Sequence, residues 1–189
     1  MFSGKTEELL RRVERVKIAR KSVLLAKPAL DTRYAAEEVV THYGRSLPCL
    51  RLPVDIFWKG FVERITDHGL RITDIFAFDE ANFFGPDFPG LCERLVQEGK
   101  RVILAGLDLN FRGEPFGPMP KLLALADEVM KLQAVCVVCG APATRTQRLC
   151  DGKPATSGPE VLIGGKESYE ARCRACFVPP GEPAPWNSP

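Results

Sequence analysis

Glycine, lysine and threonine at positions 4 to 6 run straight into a helix-forming stretch, and this junction narrows the possible folds more than any other part of the chain. Glu7 to Arg20 (EELLRRVERVKIAR) holds no Pro or Gly and is rich in good helix formers. Leu9, Leu10, Val13, Val16 and Ile18 supply an apolar stripe, while Arg11, Arg12, Arg15 and Lys17 face solvent. Gly-Lys-Thr at the head of a helix is the closing part of a phosphate-binding loop, G-x-x-x-x-G-K-[ST]. Backbone N–H groups around Ser3 and Gly4 would cradle phosphate, Lys5 would meet the outer phosphates, and the Thr6 hydroxyl would ligate Mg²⁺. The plain alternative is an ordinary amphipathic helix. With Gly4 as the second glycine, the first would lie two residues before Met1. The strand that feeds such a loop is read as missing too; it would normally lie beside the strand ending at Asp79.

Composition excludes several classes. A net charge of +2 offers no electrostatic case for nucleic-acid binding. There is no apolar run long enough to span a membrane and no signal peptide, so a cytoplasmic protein is expected. The odd cysteine count of seven, with four of them in two C-x-x-C pairs, favours bound metal over disulfides.

Apolar strands alternate with amphipathic helices. Strands are expected at Lys21–Ala26, Glu38–Thr41, Ile75–Phe78 and Lys100–Leu107, with turns around a short strand between His42 and Pro53. Helices are expected at Ile56–Thr66, packing through Trp58, Phe61, Val62 and Ile65, at Phe88–Glu98 with Gly99 as its stop, and from Pro120 through Ala126. This pattern predicts an α/β fold of the P-loop NTPase kind, a mostly parallel sheet with helices on both faces. The Gly- and Pro-rich run Phe111–Pro120 reads as a shaped loop, and Leu132–Val138 as β-like. The texture changes near Leu132, which divides the chain into a nucleotide-binding domain (1–131), a small zinc-ribbon-like domain (132–178) and a disordered tail (179–189).

A buried strand that ends in a carboxylate is the second half of a phosphate-transfer site. Ile75-Phe76-Ala77-Phe78 delivers Asp79 to the sheet edge, where it can hold Mg²⁺ opposite Thr6. Glu80 points another way and can accept a proton from an attacking hydroxyl. The bland alternative is a surface loop beginning Asp-Glu. Cys136, Cys139, Cys173 and Cys176 make two chelating pairs, the usual set for a closed structural zinc site, with a redox dithiol or disulfides as rivals. Asp31 and Arg33 could reach a phosphate or form a solvated turn. Arg112 and Glu114 could be site residues or a structural pair. Phe83, Phe84, Phe111 and Phe116 divide between core and a wall for a flat base. Cys49, Cys92, Cys150, His42 and His68 read as incidental.

Together these segments resemble the thymidine kinases of the type shared by bacteria and the animal cytosol. The matching pieces are MFSGKTEELLRR (1–12), KPALDTRY (27–34), FAFDEANFF (76–84), GLDLNFRGEPFGPMPKLLALAD (106–127), KLQAVCVVCGAPATRTQR (131–148) and VLIGGKESYEARCRAC (161–176). The resemblance implies transfer of the ATP γ-phosphate to the 5′-hydroxyl of thymidine, with Mg²⁺ and a structural zinc. It implies that Ser3, Gly4, Lys5 and Thr6 bind the donor phosphates, that Asp31 and Arg33 lie near them, that Asp79 serves the Mg²⁺ site and that Glu80 is the base. Met1, Phe84 and Phe111 would border the nucleoside. A lasso loop from about Arg145 to Tyr169 would close over it, with the backbone of Leu162, Ile163 and Gly164 on the base edges and Tyr169 against the nucleoside. A homotetramer and feedback inhibition by thymidine triphosphate are implied too. Asn82 stands where the family usually has Gln, a shorter amide that asks for adjusted packing. Every downstream segment keeps its site residues, which favours a start placed at an internal methionine over a truncated, inactive homologue. The rivals are another P-loop nucleoside kinase and a zinc-ribbon nucleic-acid- or protein-binding module.

Overall fold

The computed structural model describes residues 2–30, 38–40, 44–162 and 168–181. Contacts divide the chain into two units. One comprises Lys5–Gly106 and Gly117–Ala126; the other comprises Met1–Gly4, Leu107–Phe116 and Asp127–Pro189.

The first unit is built on a four-stranded parallel sheet. In chain order its elements are α1 (Lys5–Ile18), β1 (Val23–Pro28), β2 (Glu38–Val40), β3 (Ser46–Pro48), β4 (Leu50–Leu52), α2 (Trp58–Ile72), β5 (Ile75–Phe78), α3 (Phe88–Gln97), β6 (Arg101–Leu104) and α4 (Met119–Leu125). The sheet order is β4-β1-β5-β6, and β2 and β3 form a separate antiparallel pair. All four residues of β5 are buried. Successive side chains of a strand point to opposite faces, and β5 uses that alternation to fill two cores. Phe76 and Phe78 pack with Phe61 of α2 and with Phe88, Leu91 and Leu95 of α3. Ile75 and Ala77 pack with Leu9, Leu10 and Val13 of α1, with Leu25 and Ile103. Helices thus cover both faces, as the strand–helix alternation predicts. The aromatic side is the denser one: Phe78 meets Phe88 edge-on at 5.1 Å and Phe61 meets Phe76 at 5.6 Å.

Several details depart from the sequence reading. Ile18 is 81% exposed and does not join the α1 stripe; at 100° per residue it lies roughly 140° around the helix from Val13. The segment between His42 and Pro53 holds two strands rather than one, and β4 extends the main sheet beside β1. Helix α2 begins at Trp58 and runs on to Ile72, but Thr66, where the sequence pattern ends, has φ 65° and interrupts the helical backbone. Of Leu132–Val138, Ala134–Val135 alone is strand. The place beside β5 assigned to a loop-feeding strand is filled: β1 pairs with one edge of β5 and β6 with the other. Gly99 does stop α3, in the left-handed region at φ 73° with its N–H on Val96 O at 2.9 Å.

The second unit is smaller and more polar. β7 (Ala134–Val135) pairs with β8 (Pro142–Ala143), and β9 (Arg145–Cys150) lies between β10 (Lys153–Pro154) and β11 (Tyr169–Arg172), all antiparallel. Gln147, fully buried on β9, exchanges two hydrogen bonds with the backbone of Val178: its Nε2 donates to the carbonyl at 3.1 Å and its Oε1 accepts the N–H at 2.9 Å. Residues 182–189 of the expected disordered tail lie outside the described residues.

Truncating Phe78 to Ala removes a ring from the denser core and should cost about 3–5 kcal/mol, seen as a lower urea midpoint. Ile18→Ser, at an exposed position, should change stability by no more than about 0.5 kcal/mol.

Candidate active site

The parallel sheet delivers its strand ends to one edge, and the β5 end carries the two carboxylates. Asp79 continues the strand by one residue, its N–H donating to Ala26 O at 2.9 Å. Its side chain is buried. Thr6, in the first turn of α1, donates its hydroxyl to Asp79 Oδ2 at 3.1 Å, and the Glu80 N–H donates to Oδ1 at 3.0 Å. The hydroxyl and carboxylate that the sequence pairs across 73 positions are therefore in contact.

Glu80 takes the left-handed conformation, φ 50° and ψ 42°, uncommon for a residue with a side chain. The turn sends the chain from β5 into a short 3₁₀ helix, Ala81–Phe83, held by the Ala81 N–H on Ala105 O at 2.8 Å. Asp79 and Glu80 thereby project differently, one buried and one half-buried. Behind them Asn82 is tightly enclosed. A Cβ on Gly117, whose φ is 49°, would come within 2.3 Å of the Asn82 carbonyl oxygen, and one on Gly106 within 3.1 Å of its Oδ1.

Burial and the neighbouring Glu80 carboxylate push the Asp79 carboxyl up to about 7, against the pull of the Glu80 N–H, Lys5 and Thr6. A buried carboxylate held near a hydroxyl, with a second carboxylate next to it, is short of positive charge. Hard oxygen ligands of this kind suit Mg²⁺, which is bound by one or two protein groups plus substrate phosphates. Lys5 directly follows Gly4, which turns at φ 75°.

Two aromatic candidates fall in different units. Phe84 is in the aromatic core, stacked on Phe88 at 4.1 Å. Phe111 belongs to the second unit, where the Arg148 guanidinium lies 3.6 Å from its ring centroid and that of Arg112 lies 4.8 Å away. The loop around Phe111 is shaped by Asn110, which is buried and whose Oδ1 accepts the N–H groups of Arg112 at 2.9 Å and Glu114 at 3.1 Å. Its Nδ2 donates to Glu114 Oε2 at 3.2 Å and to Glu160 Oε1 at 3.0 Å. Arg112 donates to Gly158 O, so Arg112 and Glu114 each serve a different neighbour. Tyr169 is buried on β11 and donates its hydroxyl to Leu162 O at 2.7 Å. Met1, Asp31, Arg33, Ile163 and Gly164 lie outside the described residues.

Asn110, Arg148 and Lys27 carry polar roles that sequence reasoning missed. Lys27 is 2% exposed and donates to Glu38 O at 2.7 Å. A lysine or arginine inside a strand carries no pattern that distinguishes it from a surface residue.

The four cysteines converge. The sulfurs of Cys136, Cys139, Cys173 and Cys176 all lie within 4.8 Å of one another. Each pair sits on a turn of the same form: the Gly140 N–H donates to Cys136 O at 2.9 Å and the Phe177 N–H to Cys173 O at 3.0 Å. Tetrahedral zinc, with Zn–S of about 2.3 Å, needs sulfurs about 3.8 Å apart, so the cluster fits that ion closely. Burial opposes ionisation of Cys136, but N–H groups of Cys173, Cys139 and Val138 outweigh it and bring that thiol down to about 6. Ala134, Ala143, Ala171 and Phe2 pack around the cluster.

A family model described as Thymidine kinase matches residues 1–177. The chain belongs to the thymidine kinase family. Membership brings kinase chemistry, phosphoryl transfer with magnesium-ATP, as the general class of activity. The matched span includes the Thr6–Asp79–Glu80 edge and all four cluster cysteines. Among the described residues no helix is long and apolar enough to cross a membrane.

The Asp79 environment sets a pH dependence for the metal-free thymidine kinase family member. The folded state keeps this proton up to about 7, whereas the unfolded chain releases it near 3.8, so between these values the native state binds more protons. Stability therefore falls as pH rises through that window. Thermal melts in EDTA should give a lower Tm at pH 8 than at pH 5, and Asp79→Asn should flatten the difference. An identical pH slope in the two proteins would rule out Asp79 as its source.

Proposed function

We propose that the chain is a thymidine kinase, transferring the γ-phosphate of ATP to the 5′-hydroxyl of thymidine by in-line displacement. The observation that carries this reading is the meeting of Thr6 and Asp79 beside Glu80 at the end of β5, within a chain matched by the family model. Ser3, Gly4, Lys5 and Thr6 bind the donor phosphates, and Asp31 and Arg33 approach them. Thr6 and Asp79 hold Mg²⁺, which when bound neutralises charge on those phosphates. Glu80 orients the 5′-hydroxyl and takes its proton as the new phosphorus–oxygen bond forms and the bond to the departing ADP breaks. Lys5 meets charge growing on the transferred group.

The nucleoside is held by Met1, Phe84, Phe111 and Tyr169 and by the main chain of Leu162, Ile163 and Gly164. Main-chain donors and acceptors read the base edges, and the covering loop keeps water from competing as nucleophile. Cys136, Cys139, Cys173 and Cys176 hold a structural zinc, which ties the base of the excursion from 140 to 172 and offsets part of its closure entropy. A zinc-binding part beginning near 132, a homotetramer, inhibition by thymidine triphosphate and a cytoplasmic location complete the reading.

Incubating the protein with ATP and a panel of nucleosides should yield thymidine 5′-phosphate in preference to other products. Turnover of a different nucleoside alone, or oligonucleotide binding without any turnover, would refute the proposal. Glu80→Gln should bind ATP and thymidine by calorimetry yet lose roughly 10²–10⁴-fold in kcat; near-normal kcat would remove Glu80 from the base role. Elemental analysis should find about one zinc per chain, as expected for a four-thiolate site, and Cys173→Ser should abolish it.

A further inference from the structure

Strand β9 buries a cation that the proposed chemistry leaves without a task. Arg148 is 3% exposed. Its guanidinium covers the Phe111 ring and donates to three oxygens: Pro159 O, Glu160 O at 3.0 Å and the Tyr169 hydroxyl at 2.9 Å. The Tyr169 hydroxyl in turn donates a hydrogen bond to Leu162 O at 2.7 Å. One residue upstream of Pro159, Gly158 O accepts from Arg112 at 2.8 Å. Four carbonyls within Gly158–Leu162 are thus taken by the side chains of Arg112, Arg148 and Tyr169. Glu160 is anchored through its side chain as well, by Asn110. The fit at the start of this run is close: Gly158 has φ 135°, and a Cβ there would stand 3.3 Å from Arg148 Nη1.

We infer that Arg148 is a positioning residue for nucleoside recognition, fixing the backbone of residues 158–162 and thereby the main chain at Leu162 that would meet the base. The inference rests on the thymidine kinase reading above. A loop that recognises a base through its own peptide groups needs those groups held before the ligand arrives, since each one left to order on binding weakens affinity. Arg148 meets that need because a planar guanidinium can stack on a ring and donate in several in-plane directions at once. Lysine keeps the charge but has neither the fork nor the flat face. Tyr169 acts as the second arm, joining the guanidinium to Leu162 on the far side of the run.

Hydrogen exchange read by mass spectrometry, together with steady-state kinetics, tests this on the full chain, Arg148→Lys and Tyr169→Phe. In Arg148→Lys, peptides covering 158–162 should exchange faster while those covering β5 and β6 stay unchanged. Its KM for thymidine should rise by on the order of 10-fold or more with KM for ATP unaltered, the signature of lost nucleoside positioning. Tyr169→Phe keeps the two Arg148 carbonyl bonds and should show the same changes to a smaller degree. Unchanged exchange across 158–162 would overturn the inference. So would an equal rise throughout the chain, which is loss of general stability, or equal rises in both KM values. If the parent chain shows neither turnover nor slower exchange at 158–162 with thymidine, the thymidine reading itself is overturned; faster exchange in Arg148→Lys would then still establish the loop clamp.

Discussion

The complete burial of β5 is the constraint on which the edge carrying Asp79 and Glu80 depends. With β1 and β6 hydrogen-bonded to its two edges and helices over its two faces, the strand has no freedom in register or direction. A one-residue slip would exchange Phe76 and Phe78 with Ile75 and Ala77, placing large rings against α1 and small residues in the aromatic core. The position of Asp79 follows from that immobility. So does the tolerance of an unfavourable backbone at Glu80, since the packed strand before it and the Ala81–Ala105 hydrogen bond after it hold the turn in place.

The second unit is organised by a different principle. Its apolar clusters are small, and buried polar side chains do the fixing. Gln147 secures the backbone at Val178, Asn110 shapes the loop between Leu107 and Phe116, and Arg148 collects the carbonyls of Pro159 and Glu160. Such groups are costly to bury without partners and highly directional with them. They define loop geometry where there is too little hydrophobic surface to do so. The four-cysteine cluster fits the same strategy, since a metal held by all four thiolates would fix two turns that are 34 residues apart in the chain.

Much of the first unit was legible because hydrophobic periodicity is a local signal. Ile75–Phe78 could be read residue for residue, since four apolar residues bounded by Asp74 and Asp79 leave little choice of register. The same signal excludes Ile18 from the stripe, because at 100° per residue it lies roughly 140° around the helix from Val13. Strand β4 was illegible, because Leu50-Arg51-Leu52 becomes a sheet strand only through pairing with Ala26–Pro28. The motif residues Lys5, Thr6, Asp79 and Glu80 and the cysteine pairs were found from spacing, whereas Arg148 and Asn110 lie in runs of mixed polarity that a solvated loop or edge strand would also show.

By itself the sequence determined the alternation of strands and helices, the candidate site residues, and the kinase family, since each is written in short-range patterns and residue chemistry. The tertiary structure alone decided that Thr6 reaches Asp79, that β5 is flanked on both sides by β1 and β6, and that residues 107–116 pack with the C-terminal unit. It also decided that an arginine on β9 would be buried and claimed by loop carbonyls. Those outcomes depend on which distant groups desolvate one another, and the energy of a buried hydrogen bond or ion exists only once the surrounding chain has excluded water.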